Sequence, residues 1–183
     1  MTLKLSTLAI VLGLGLALPQ VYGIANPAGF AAAVRKFPRS LPWGVALILL
    51  GTAWFLWNLN EESISDFALY KPYMMAGFAA VGIGACFFVQ DFLAVRGLAV
   101  VLLCLAKTMV DTGRPQLPAT PWVLVIQAWA YVFVVLGIWL TISPWRLRDW
   151  LNWATMNETR VRVGSVVRLV FGLFVAVLGL VRF

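Results

Sequence analysis

A chain of 183 residues that is 62% hydrophobic and 11% charged is too apolar for an ordinary soluble domain, in which about a quarter of residues carry charge. Its formal charge of +7 comes from lysines and arginines set between apolar runs, where such residues orient a membrane protein, so it does not point to nucleic acid. Histidine is absent, which excludes imidazole haem ligation, most zinc chemistry and any His-dependent triad; Cys86 and Cys104 lie inside apolar runs, where no disulfide framework is expected.

The predicted fold is an all-α integral membrane protein, a single domain over 1–183, with six transmembrane helices and two short interfacial amphipathic helices. Residues 3–23 form the first span, one lysine preceding it. A signal peptide has a similar look, but here the basic cluster Arg35, Lys36 and Arg39 follows the apolar run, and a retained helix is expected. Asn26-Pro27 supplies a cap residue and a proline at the first helical position, opening an interfacial helix over 27–37. The second span, 41–59, ends in the aromatic cluster Trp54, Phe55 and Trp57, and the loop after it holds the acidic residues Glu61, Glu62 and Asp66. That loop reads as solvated rather than as a cation site, since it offers few ligands.

The third span, 72–90, carries Ala76, Ala80 and Gly84 at intervals of four, a stripe on which another helix can pack closely. Only Gln90 and Asp91 interrupt the apolar run before the fourth span, 92–112, so a tight hairpin is expected with Asp91 as its cap. Gly113, Pro115, Pro118 and Pro121 make a rigid connection to the fifth span, 122–142. Ser143-Pro144 repeats the cap-and-proline signature before a second interfacial helix over 144–158, in which Trp145, Arg146, Trp150 and Trp153 are the expected membrane-surface anchors, tryptophans and arginines segregating to separate sides. The sixth span, 161–181, contains Gly164, Gly172 and Gly179, with Arg168 about two turns inside.

On the fourth span Arg96, Val100, Leu103, Lys107, Asp111 and Arg114 share an arc of roughly 80° at about 100° per residue. A charge at membrane depth costs on the order of 3 kcal/mol, so this face is expected to turn toward helices, water or a head group, and the span to organise the bundle. Arg96, Lys107, Asp111, Arg114 and Arg168 are the candidate intramembrane polar or anion site. Lys107 also stands one i, i+4 step from Asp111, where the two pair or the lysine snorkels outward. Asp91 and Asp111 flank one helix about 30 Å apart and cannot share a proton.

Orientation follows from the basic residues. Arg35, Lys36, Arg39, Arg96, Arg146, Arg148, Arg160 and Arg162 fall on one side, against Lys4, Lys71, Arg114 and Arg182 on the other. The larger group marks the cytoplasmic side, and both termini are expected outside. The first and last thirds also share a plan of span, cap-Pro, basic interfacial helix and glycine-spaced span. Either this is a degenerate repeat around the central hairpin, or it is what any interfacial helix between two spans looks like.

From Ser143-Pro-Trp-Arg through Arg160, Gly164 and Gly172, within about 122–181, the chain resembles the small two-span YjeT-like inner-membrane proteins. That resemblance implies a bacterial inner-membrane setting and no chemistry. Lys107, six intervening residues and Arg114-Pro115 resemble the first signature of type-two phosphatidate phosphatases, which implies a phosphate held by lysine and arginine; the family's catalytic histidines have no counterpart here. The expectation is therefore a protein without enzymatic activity, catalytic residues, metal or cofactor. It would be a subunit or scaffold of an inner-membrane complex, in contact with lipids and with other membrane subunits or a second copy. The alternatives are a small solute or ion carrier or channel along the fourth span, and head-group or anion binding at Lys107 and Arg114. The spans are read as free of internal proline, which weighs against a carrier.

Overall fold

The computed structural model describes residues 4–62 and 68–183. Asp66 of the acidic loop and the first residue of the predicted first span, Leu3, lie outside the described residues. The described chain is all-helical: α1 Leu5–Ala25, α2 Pro27–Lys36, α3 Leu41–Glu61, α4 Lys71–Phe88, α5 Leu93–Gly113, α6 Val123–Ile142, α7 Trp145–Ala154 and α8 Glu158–Val181. Six of these, all but α2 and α7, are long and apolar enough to cross a membrane. The predicted spans coincide with them to within a few residues at each end.

Local chemistry accounts for several boundaries. The Asn26 side chain accepts a hydrogen bond from the Gly29 N–H at 2.9 Å, and Pro27 occupies the first position of α2, as the cap-Pro pattern requires. At the second such pattern α7 begins at Trp145, and the Arg146 N–H reaches the Ser143 backbone carbonyl at 3.1 Å. α7 is shorter than the predicted 144–158. It ends at Ala154, a turn follows, and α8 begins at Glu158, whose carboxylate suits a helix N-terminus.

Between α4 and α5 the chain turns at a residue that the sequence did not flag. Phe92 has a φ of 55°, in the left-handed region that a bulky side chain rarely enters. Its ring is buried with Val95, Ala99 and Leu140, and the Arg39 guanidinium lies 5.5 Å from the ring centre. The Leu93 N–H reaches the Gln90 carbonyl across the turn at 3.4 Å, and the Val95 and Arg96 N–H groups both reach the Phe92 carbonyl as α5 starts; Asp91 is exposed, and no hydrogen bond from the expected Asp91 cap is seen.

Two compact units are present, 1–35 with 105–133 and 148–183, and 36–104 with 134–147. In the first, α1 and α8 pack antiparallel along a seam of small residues. Gly13, Ala17 and Gly23 of α1 meet Gly172, Ala176 and Ser165 of α8; a Cβ on Gly13 would lie 2.6 Å from the Ala176 nitrogen and collide with the Gly172 carbonyl oxygen. Trp129 of α6 stacks edge-on against Phe171 of α8 with ring centres 5.2 Å apart. In the second unit α3 and the first half of α5 run parallel, Gly44 against Leu93, Leu47 against Gly97 and Gly51 against Val100. α4 lies antiparallel to α3, Gly82 against Thr52 and the Phe78 ring 5.0 Å from the Phe55 ring.

The contact of α4 with α3 is made by Phe78 and Gly82, on the side of α4 opposite the stripe Ala76, Ala80 and Gly84; Ala76 and Ala80 are exposed. The expectation that the spans are free of internal proline is corrected. Pro19 lies inside α1, on an exposed side, and supplies no N–H to the Gly15 carbonyl. A helix nearly uniformly apolar around its circumference tolerates this, because its packing is carried by the Gly13–Ala17 side.

Candidate functional site

The polar face of α5 divides along its length. At the start of the helix Arg96 is half-buried, and its Nε is buried without a hydrogen-bond partner. Toward the other end Lys107 Nζ donates to Asp111 Oδ2 at 2.7 Å, with the two side chains 43% and 50% exposed. Arg114 follows, exposed, in a single turn of 3-10 helix through Gln116. Of the alternatives expected for Lys107, the i, i+4 pair with Asp111 is the one seen, with both side chains about half exposed. Near its end α5 packs through Ala106, Met109 and Gly113, which lie roughly opposite the charged pair at about 100° per residue. An i, i+4 pair this exposed contributes little to stability, and it engages the Lys107 ammonium with a carboxylate.

Arg168 belongs to a different place. Together with Trp150, Trp153 and Ala154 of α7 and with Thr159, Arg160, Val163, Gly164 and Val167 of α8, it lines an open groove of about 540 Å³. Its Nε donates to the Gly164 carbonyl at 2.9 Å, and its Nη2 would lie 3.0 Å from a Cβ on Gly164, so the missing side chain leaves room for the guanidinium to fold along the helix. One turn into α8, Arg160 stands 5.2 Å from the centre of the Trp153 ring and donates to the Trp153 carbonyl at 3.4 Å. No carboxylate lines this groove, and among the described residues neither arginine is in an ion pair.

The anchors of α7 are arranged differently from expectation. Leu151 is the buried residue of the helix, whereas Trp145, Arg146, Trp150 and Trp153 are all exposed. At about 100° per residue Arg146 falls between Trp153 and Trp150, so arginines and tryptophans do not segregate; they share the surface that faces away from Leu151. Asp149 is taken by Arg148 at 2.9 Å.

One tie was invisible in the sequence. Arg35, at the end of α2, donates from Nε to Thr155 Oγ1 at 2.7 Å and from Nη2 to the Thr155 carbonyl at 2.6 Å. Thr155 is buried and its hydroxyl donates in turn to the Leu151 carbonyl at 2.7 Å. The ends of the two short helices α2 and α7 are thus joined by a charge-assisted clamp between residues 120 positions apart. In the sequence Arg35 differs in no way from its neighbours in a basic cluster.

Two further polar atoms, Gln20 Oε1 on α1 and Ser165 Oγ on α8, are buried without partners. Among the described residues, no group of three or more His, Cys, Asp or Glu side chains is placed to hold a metal. Compared with protein-family models, with curated proteins and with solved structures, the chain matches none.

Proposed function

We propose that this protein is a non-catalytic helical subunit or scaffold of a membrane-protein complex, and that α4 is the element on which the partner packs. The observation that carries the reading is that α4, a full-length apolar helix, has no buried residue, while 44% of the corresponding stretch of α5 is buried. Its free side displays Ala76 and Ala80 between the exposed rings of Tyr73 and Phe87, and small residues at such spacing let a second helix approach to backbone distance. The partner is a transmembrane helix of another subunit or of a second copy. The setting that fits the charge distribution and the YjeT-like resemblance is a bacterial inner membrane with both termini outside.

The test is co-purification from native membranes in mild detergent, comparing the wild type with Ala80→Trp. The proposal expects a defined partner or a dimer that is lost in Ala80→Trp at unchanged thermal stability. Retention of the same assembly in that variant would refute α4 as the docking element.

A second reading, a small carrier, draws support from one seam. Pro19 interrupts the backbone bonding of α1, and Gln20 and Ser165 leave polar atoms unsatisfied in the same unit. A carrier reading expects solute flux in proteoliposomes that falls in Gln20→Leu, whereas the scaffold reading expects no flux from the isolated protein.

A further inference from the structure

We infer that the groove between α7 and α8 is a binding site for an acidic phospholipid, its head group drawn to Arg160 and Arg168 and its chain laid along Val163 and Val167. The inference is independent of what packs on α4. Four observations converge on it. Two guanidinium groups face one groove whose lining carries no carboxylate, and among the described residues neither is in an ion pair. Arg168 stands ten residues beyond the first residue of α8, about 15 Å along the axis, a depth at which an uncompensated cation is unfavourable in a membrane. Each guanidinium has spent only part of its donor set, Arg168 one N–H on the Gly164 carbonyl and Arg160 one on the Trp153 carbonyl and Met156 sulfur, which leaves N–H groups for the planar, two-pronged recognition of a phosphate that arginine favours. Finally, Trp150 and Trp153 are exposed at the groove beside the arginines, the pairing of aromatic and basic residues found at a head-group boundary.

The lining also distinguishes a lipid from a free anion. Ala154, Val163 and Val167 offer apolar surface that inorganic phosphate does not use and an acyl chain does. Two cations lining one groove favour a lipid with net negative charge over a zwitterionic one, whose ammonium would be repelled. The Arg168 guanidinium lies close over Gly164, where an added Cβ would stand 3.0 Å from its Nη2.

The experiment is native mass spectrometry and thermal melting of the delipidated full-length protein, titrated with phosphatidylglycerol, with phosphatidylcholine and with inorganic phosphate. Phosphatidylglycerol is expected to bind about tenfold more tightly than phosphatidylcholine and to raise the melting temperature, and both effects should be lost in Arg160→Gln/Arg168→Gln. Arg114→Gln, a cation outside the groove, should leave them intact. Equal binding of the two lipids by the wild type, a measurement that needs no variant to fold, would overturn the inference. So would a phosphatidylglycerol effect that survives the double substitution, or a full melting shift produced by inorganic phosphate alone, which would make this a free-anion site.

Discussion

At the scale of single residues, exposure decides what a charge is worth. Lys107 and Asp111 have the spacing and the 2.7 Å contact of a strong pair, yet each side chain is about half exposed. A pair in that position contributes a few tenths of a kcal/mol, so Lys107→Met and Asp111→Leu should each change stability in detergent by less than about 1 kcal/mol. A loss of about 3 kcal/mol in either single variant, recovered in the double variant, would instead mean that the pair is buried in the assembled protein. Arg35 is the contrary case, a cation whose two bonds end on a buried threonine. Arg35→Met removes both and leaves the Thr155 carbonyl short of a donor, a loss of about 2 kcal/mol by denaturant or thermal unfolding. Thr155→Val keeps the bond to the carbonyl and should lose about half as much. Equal effects of the two substitutions would show that the hydroxyl carries the clamp.

At the scale of elements, the small-residue seam of α1 and α8 makes the sharpest forecast. A methyl group on Gly13 meets backbone of α8, whereas one on Gly15 meets nothing within 4 Å. Gly13→Ala should therefore push the helices apart and lower stability by about 2 kcal/mol, while Gly15→Ala should be neutral or gain up to about 1 kcal/mol from the stiffer backbone. The same comparison shows what the sequence makes legible. The existence and limits of the six apolar helices follow from run length and from turn residues, and the Asn26-Pro27 cap is seen as expected. Which side of each helix packs does not follow, because a helix that is apolar all round has no hydrophobic stripe to point inward. Ala9, Gly13 and Ala17 have the same spacing as Ala76, Ala80 and Gly84. The first set is buried against α8, and the second faces away from α3. Pattern alone cannot rank two such stripes, and only tertiary contacts separate them.

The candidate site was legible in its members but not in its grouping. Arg168, Trp150 and Trp153 stand out by residue type, a cation inside an apolar run and tryptophans beside arginines. Their convergence with Arg160 depends on the turn after Ala154, which brings α7 back against the first turns of α8. The polar face of α5 was legible as a face, and its exposure at Lys107 was not, since that depends on where α6 packs near Gly113.

At the scale of the whole molecule, six apolar helices and an excess of basic residues on alternate connections predict a topology that labelling can test. A cysteine at position 62 should react with an impermeant reagent from outside the cell, and a cysteine at position 153 only after the membrane is opened. Reaction of position 62 only from the cytoplasmic side would invert the assignment and would place the α7–α8 groove at the outer face. The central claim concerns α4 and is tested most directly by a photo-cross-linking residue placed at Ala80 in native membranes, with Pro19, exposed on α1, as a control position. The account predicts one discrete adduct from position 80, either a dimer of this chain or a complex of defined larger mass, and none from position 19. No protein adduct from position 80, with lipid as its only product, would contradict the assignment of this chain as a subunit that packs through α4.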